Sequence, residues 1–168
     1  MKALCLSFFF LLLFAGISCG QNTPFTGDKK LYDPNADAKA DIAKAVEQAG
    51  REGKHVFLQI GGNWCKWCFL FDEKVRTNDT LRVTMEENYV VYHLNYSKEN
   101  KNEEVLKSLG FPQRFGFPVF VILDGQGTRL HTQNSAYLEQ GQGHSTEKVL
   151  EFLNGWSPAA LDPQQYEK

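Results

Sequence analysis

With 168 residues, the chain has room for one ordinary domain with its own core, and 42% hydrophobic against 23% charged residues is the balance of a folded protein rather than a disordered one. A net charge of -2 supplies neither the basic footprint that nucleic acid requires nor a polybasic patch for an anionic membrane surface. Nucleic-acid binding is therefore set aside.

Lys2 followed by the apolar run 4–17, with Ala15, Gly16 and Ser18 before Cys19, has the three-part plan of a secretory signal over residues 1–19. The run is short for a membrane-spanning helix. Gly16-Ile17-Ser18-Cys19 resembles the lipobox of bacterial lipoproteins, with Gly16 where that pattern usually carries an aliphatic residue. The resemblance implies a lipidated Cys19 and attachment to a membrane. Cleavage after Gly20 would instead leave a soluble protein beginning at Gln21. Cys5 is lost by either route, so the mature domain keeps Cys65 and Cys68 as its internal pair. One close pair in an exported domain is a dithiol for use, not a disulfide framework for folding.

Residues 20–32 are polar, contain Pro24 and Gly27, and read as a flexible tether. The domain is expected over 33–156. Asp33-Pro34-Asn35-Ala36-Asp37 opens a helix with Ile42, Val46 and Ala49 on one face, ended by Gly50 and Gly53. Val56-Phe57-Leu58-Gln59-Ile60 reads as a buried central strand, broken by Gly61-Gly62-Asn63. Helical spacing resumes through Cys65, Phe69 and Asp72 towards Val75, and a second helical piece over 77–87 takes Asn78 or Asp79 as its cap. A strand over 89–94, a short helix over 103–109 closed by Gly110, and a strand over 119–123 follow. Asp124-Gly125-Gln126-Gly127 turns that strand into a partner near 128–132. Ser145 caps a last helix that ends at Gly155, and 157–168, with two prolines, reads as a loose tail. Alternating helices and strands followed by a hairpin predict a three-layer α/β domain with a mixed sheet between helices.

A cysteine reacts as its thiolate, so a redox pair needs negative charge stabilised on one sulfur. Cys65 stands where a strand ends and a helix begins, close to unpaired N–H groups and the positive end of the helix dipole. Cys68, three residues on, lies on the same helical face. Cys65 is therefore expected to be the exposed, attacking sulfur and Cys68 the deeper, resolving one. Other uses of the motif fit less well. A closed zinc site needs about two ligands beyond these two cysteines, and no second Cys pair or closely spaced His pair provides them. Haem attachment would need a histidine after Cys68, where Phe69 stands. A disulfide across so short a loop restrains the unfolded chain little.

The stretch Phe57-Leu58-Gln59-Ile60-Gly61-Gly62-Asn63-Trp64-Cys65-Lys66-Trp67-Cys68 resembles the active-site strand and helix of the thioredoxin superfamily. Gly116-Phe117-Pro118-Val119-Phe120-Val121-Ile122-Leu123-Asp124-Gly125-Gln126-Gly127 resembles its second signature, and the Trp-Cys-Lys-Trp-Cys form is similar to exported bacterial thioredoxin-like proteins. This resemblance spans roughly 32–156. It implies a thioredoxin-like three-layer sandwich and a cis bond between Phe117 and Pro118. It also implies that Pro118 faces the dithiol, that the backbone of Phe117 pairs with substrate, and that Trp64 shields the pair and meets partners.

Two positions depart from the family's pattern. Gln59 stands where a buried acid is usual, and His93 where a lysine is usual. Gln59 cannot accept the resolving thiol's proton, so His93 is the candidate proton relay beneath Cys68, set against the plain alternative of a sheet histidine without a role. His55, His131 and His144 read as surface residues. Lys66 adds positive charge beside Cys65, which favours thiolate, and Trp67 adds bulk.

The function expected is that of a thiol–disulfide oxidoreductase, periplasmic or anchored in the cell envelope, acting on protein thiols and disulfides. It would work with a redox partner protein, as a monomeric domain, without cofactor or metal. Two alternatives stay open: a soft-metal (copper) carrier using both thiolates, and a redox-inactive thioredoxin-like interaction module. Reductase, oxidase and isomerase directions are not separable from the sequence.

Overall fold

A computed structural model describes residues 30–167. The leader and lipidation readings at residues 1–19, including Cys5 and Cys19, lie outside the described residues, as does most of the expected tether. Helix α1 (Ala38–Glu52) is capped by Asp37, whose carboxylate accepts from the Ala40 N–H, and is closed by Gly53 at φ 66°. Strand β1 (His55–Gly61) follows and is buried along its whole length. Helices α2 (Lys66–Thr77) and α3 (Asp79–Asn88) share Asn78, which ends the first and caps the second by accepting from the Leu81 N–H.

The chain continues through β2 (Tyr89–Asn95), α4 (Glu103–Ser108) and a 3-10 turn at Pro112–Phe115. The hairpin β3 (Val119–Leu123) and β4 (Arg129–Asn134) follows, and α5 (Thr146–Gly155) is capped by Ser145 as expected. Strand order is β2-β1-β3-β4, with β1 parallel to β2 and antiparallel to β3. The expected mixed sheet between helix layers is the architecture found.

Period-two alternation explains why β1 is buried on both sides. Val56, Leu58 and Ile60 join Val119, Val121 and Leu123 in the core beneath α1 and α4. Phe57 joins Phe120 and Ile122 in the opposite core, with Phe71, Leu81, Met85, Val149, Phe152 and Leu153 from α2, α3 and α5. Gln59 has the parity of Phe57. It is therefore carried to the α2 side of the sheet, under the cysteine pair.

Three features differ from expectation. A small hairpin, β5 (Glu139–Gln140) with β6 (Gly143–His144), packs beside α2. Two-residue strands show no alternation, so nothing in the sequence marks them. The segment read as a loose tail contains 3-10 turns at Ala159–Leu161 and Pro163–Gln165, and Ser157 is buried. Tyr32, placed at the end of the tether, is 1% exposed and belongs to the core. Among the described residues, no helix is long and apolar enough to cross a membrane.

Candidate functional site

Strand β1 delivers the chain to Gly61, a short turn follows, and Cys65 becomes the N-cap of α2. Cys65 and Cys68 are joined by a disulfide, S–S 2.08 Å. The Cys68 N–H points at Cys65 Sγ (3.2 Å) as well as at the Cys65 carbonyl (3.1 Å). The first turn of α2 holds no acidic residue, and Lys66 is exposed beside Cys65. Once the bond is reduced, amide and helix end both favour negative charge on Cys65 Sγ. The depth ordering of the two sulfurs is as predicted, but Cys65 is itself buried, 4% exposed against 0% for Cys68. Bonding to Cys68 and packing against Tyr32, Trp67 and Phe117 account for the difference.

The wall on the other side is the Phe117–Pro118 segment, whose peptide bond is cis. Pro118 is buried, and the Phe117 ring packs onto the cysteine cluster. Phe117 stacks on Tyr96 (4.7 Å between centroids) and receives Trp64 edge-on (5.4 Å). Trp64 Nε1 donates to the Tyr96 carbonyl at 2.8 Å, which fixes the indole while leaving the side chain 57% exposed. Trp64, Tyr96 and Phe117 thus form an aromatic rim beside the disulfide, the kind of rigid amphipathic surface that suits partner contact.

Beneath the pair, Gln59 Nε2 donates to the Cys68 carbonyl (3.1 Å) and to Tyr32 Oη (3.0 Å). Gln59 and His93 are register partners across β1 and β2. His93 touches the Tyr32 ring edge-on (5.6 Å) and stands 4.0 Å from the Asp72 carboxylate, so it reaches the pair through Tyr32. Burial pushes the His93 pKa down, and the charge of Asp72 offsets part of that. Gln59, Asp72 and His93 also line a cleft of about 190 Å³ between sheet and helices.

Tyr32 and Asn63 are the residues that sequence reasoning missed. Asn63 Oδ1 accepts from the Leu31 and Tyr32 N–H groups (3.0 Å each), and its Nδ2 donates to the Tyr32 carbonyl (2.8 Å). An extended segment is thereby stapled to the turn that precedes Cys65. The sequence carried one signal, an aromatic residue in an otherwise polar stretch. Burial pushes the Tyr32 pKa up, with the Gln59 hydrogen bond opposing and the nearby Asp72 charge adding to the rise.

The remaining histidines are not all surface residues. His55 is buried, with Nδ1 2.9 Å from the Trp156 carbonyl, and His131 stacks on the Trp156 ring at 4.2 Å. His144 is buried between Trp67 and Phe71, meeting both rings edge-on, and neither ring nitrogen has a hydrogen-bond partner among the described residues. Burial, with a smaller effect of Lys74, takes its pKa from 6.5 down to about 4. Among the described residues, no group of three or more His, Cys, Asp and Glu side chains is placed to hold a metal ion.

Comparison with known proteins finds the same overall fold. A disulphide isomerase from Xylella fastidiosa Temecula1 superposes with a TM-score of 0.67 at 24% identity, covering 76% of this chain and 97% of that one. The C-terminal domain of Neisseria meningitidis DsbD, in its oxidised form, gives 0.50 at 17% identity, covering 69% and 93%. At these identities the likeness is one of fold. No curated protein matches. Residues 37–125, more than half of the chain, match the family model described as Thioredoxin-like. The chain belongs to the thioredoxin-like family.

Proposed function

We propose that this protein is a thiol–disulfide oxidoreductase that exchanges disulfides with other proteins through Cys65 and Cys68. The observation that carries this reading is the Cys65–Cys68 disulfide at the N-terminus of α2, with the Cys68 N–H aimed at Cys65 Sγ and the Phe117–Pro118 segment alongside. In the reducing direction, Cys65 thiolate attacks one sulfur of a substrate disulfide, and the other substrate sulfur leaves as thiolate. Cys68, having lost its proton, then attacks Cys65 Sγ and expels the second substrate sulfur. Two electrons pass to the substrate, its sulfurs take up two protons, and the Cys65–Cys68 bond forms. Trp64, Phe117 and Pro118 hold the incoming chain. Gln59 and His93 support proton movement at Cys68, and a second dithiol protein restores the reduced pair.

The site of action is the cell envelope. Residues 1–19 are a leader, Cys19 is lipidated, the polar residues that follow tether a domain that takes in Tyr32, and 157–168 form its tail. These assignments rest on the apolar run, the lipobox-like residues and the single exported dithiol. Labelling with a fatty acid that is lost in Cys19→Ala tests the anchor. Insulin reduction tests the chemistry: wild type is active, Cys65→Ser is inactive, and Cys68→Ser accumulates a mixed disulfide through Cys65. Equal activity of Cys65→Ser and wild type would remove the proposal.

A further inference from the structure

Resolution of the mixed disulfide requires Cys68 to become a thiolate in a place where its side chain is sealed from solvent. A carboxylate beside it could take the proton, but the polar side chain that reaches Cys68 from the sheet, at its carbonyl, is Gln59, an amide without a titrating proton. We propose that the Tyr32 hydroxyl stabilises the Cys68 thiolate by donating a hydrogen bond to its sulfur, the role left unfilled by Gln59. The inference deepens the oxidoreductase reading and rests on it.

Four observations converge. First, Tyr32 forms one buried cluster with Cys65 and Cys68. Second, the hydroxyl and the sulfur border the same small space. A side-chain carbon built on Gly61 would collide with Cys68 Sγ and stand 2.9 Å from Tyr32 Oη. Third, the direction of the hydrogen bonds is set. Gln59 Nε2 donates into Tyr32 Oη, so the hydroxyl proton must point elsewhere, and among the described residues no acceptor receives it. A disulfide sulfur is a weak acceptor, whereas a thiolate in the same position is a strong one. Fourth, the Asn63 staple holds the Tyr32 backbone through hydrogen bonds that involve neither sulfur. Burial keeps the phenol protonated at working pH, so it acts as a donor and not as a base.

The Cys68 thiol proton therefore leaves by another group. The ionisable neighbours are Cys65 at the N-cap of α2, Asp72 on α2 and His93 on β2, the last two at the cleft. Neutral His93, one ring away, takes up that proton by way of solvent, while the Tyr32 O–H holds the charge left on sulfur. The electron pair on that sulfur then forms the bond to Cys65 Sγ, and the Cys65–substrate bond breaks with the substrate sulfur leaving as thiolate.

The test is a site-resolved titration of the reduced full-length protein, following the Cys68 Cβ by carbon NMR. Tyr32→Phe keeps the ring and removes only the hydroxyl. It is expected to raise the Cys68 pKa by about one to two units, the size of a hydrogen bond to a charged group. Tyr32→Leu should raise it similarly, and resolution of a preformed mixed disulfide should slow about ten- to hundredfold and recover at higher pH. The proposal is overturned if Tyr32→Phe titrates with wild type, whatever Tyr32→Leu does, since a packing role would produce that pattern. The titration needs no substrate. Failure of the oxidoreductase reading would appear separately, as absence of insulin reduction by wild type.

Discussion

Gly61 shows how little room the cysteine pair leaves at the end of β1. A methyl group there would run into Cys68 Sγ and Tyr32 Oη, both held in place by the disulfide and by hydrogen bonds. Gly61→Ala is expected to destabilise the oxidised protein by about 1–3 kcal/mol, the range for overpacking a well-filled site, as read from urea unfolding. His144 has the opposite character, a polar ring held in an apolar slot. Its native pKa, about 4, lies below its ordinary 6.5, so between these values the unfolded chain binds a proton that the native protein does not. Stability is therefore full above pH 6.5 and falls as pH drops towards 4. At pH 4.5, His144→Phe should retain about 2 kcal/mol more of its neutral-pH stability than wild type does. Equal losses in urea titrations of the two proteins would show that this ring does not govern acid sensitivity. Little of these environments was legible in the sequence beyond the lone aromatic at Tyr32. His144 and Tyr32 acquire most of their neighbours from segments distant along the chain, and residue type alone does not reveal such contacts.

The elements were far more legible, because their signals are local. Asn78 between two amphipathic stretches, Ser145 with Glu147 behind it, and Gly53 after a periodic face each satisfy orphan backbone groups at a helix end. The hairpin that carries His144 was invisible because two-residue strands have no period. Helix α2 combines a local signal with chemistry, since its end points at Cys65 and its first turn lacks acid. Lys66→Glu places a carboxylate there and should reduce the rate of Cys65 alkylation in the reduced protein roughly two- to fivefold at low salt. That difference should shrink as salt is added. The segment before α1 depends on the same turn. Asn63→Ala removes three hydrogen bonds to residues 31 and 32 and is expected to destabilise the protein by about 1–3 kcal/mol. Amide exchange at Leu31 and Tyr32 should rise well before that of β1, and unchanged protection would mean that Tyr32 packing alone holds the segment.

A protein that cycles between disulfide and dithiol must keep its fold in both states, and the distribution of its core shows how this one does so. The sheet is buried from two sides, and Phe57, ahead of the site in sequence, alone meets Phe71, Tyr89, Phe120 and Phe152, rings contributed by helices and strands that follow it. The cysteine bond closes a loop of only four residues, with a sequence separation of 3. In the chain-entropy picture such a loop is worth about 2 kcal/mol, and the helix end favouring Cys65 thiolate offsets part of it. Truncation of a fully buried phenylalanine costs about 3–5 kcal/mol. Reduction should therefore lower the unfolding free energy by no more than about 2 kcal/mol, while Phe57→Ala lowers it more than that in either redox state. Urea unfolding of the oxidised and reduced forms of both proteins measures the four values together. If reduction were the larger perturbation, the pair would be a structural staple, and the case for a working dithiol at the end of β1 would weaken with it.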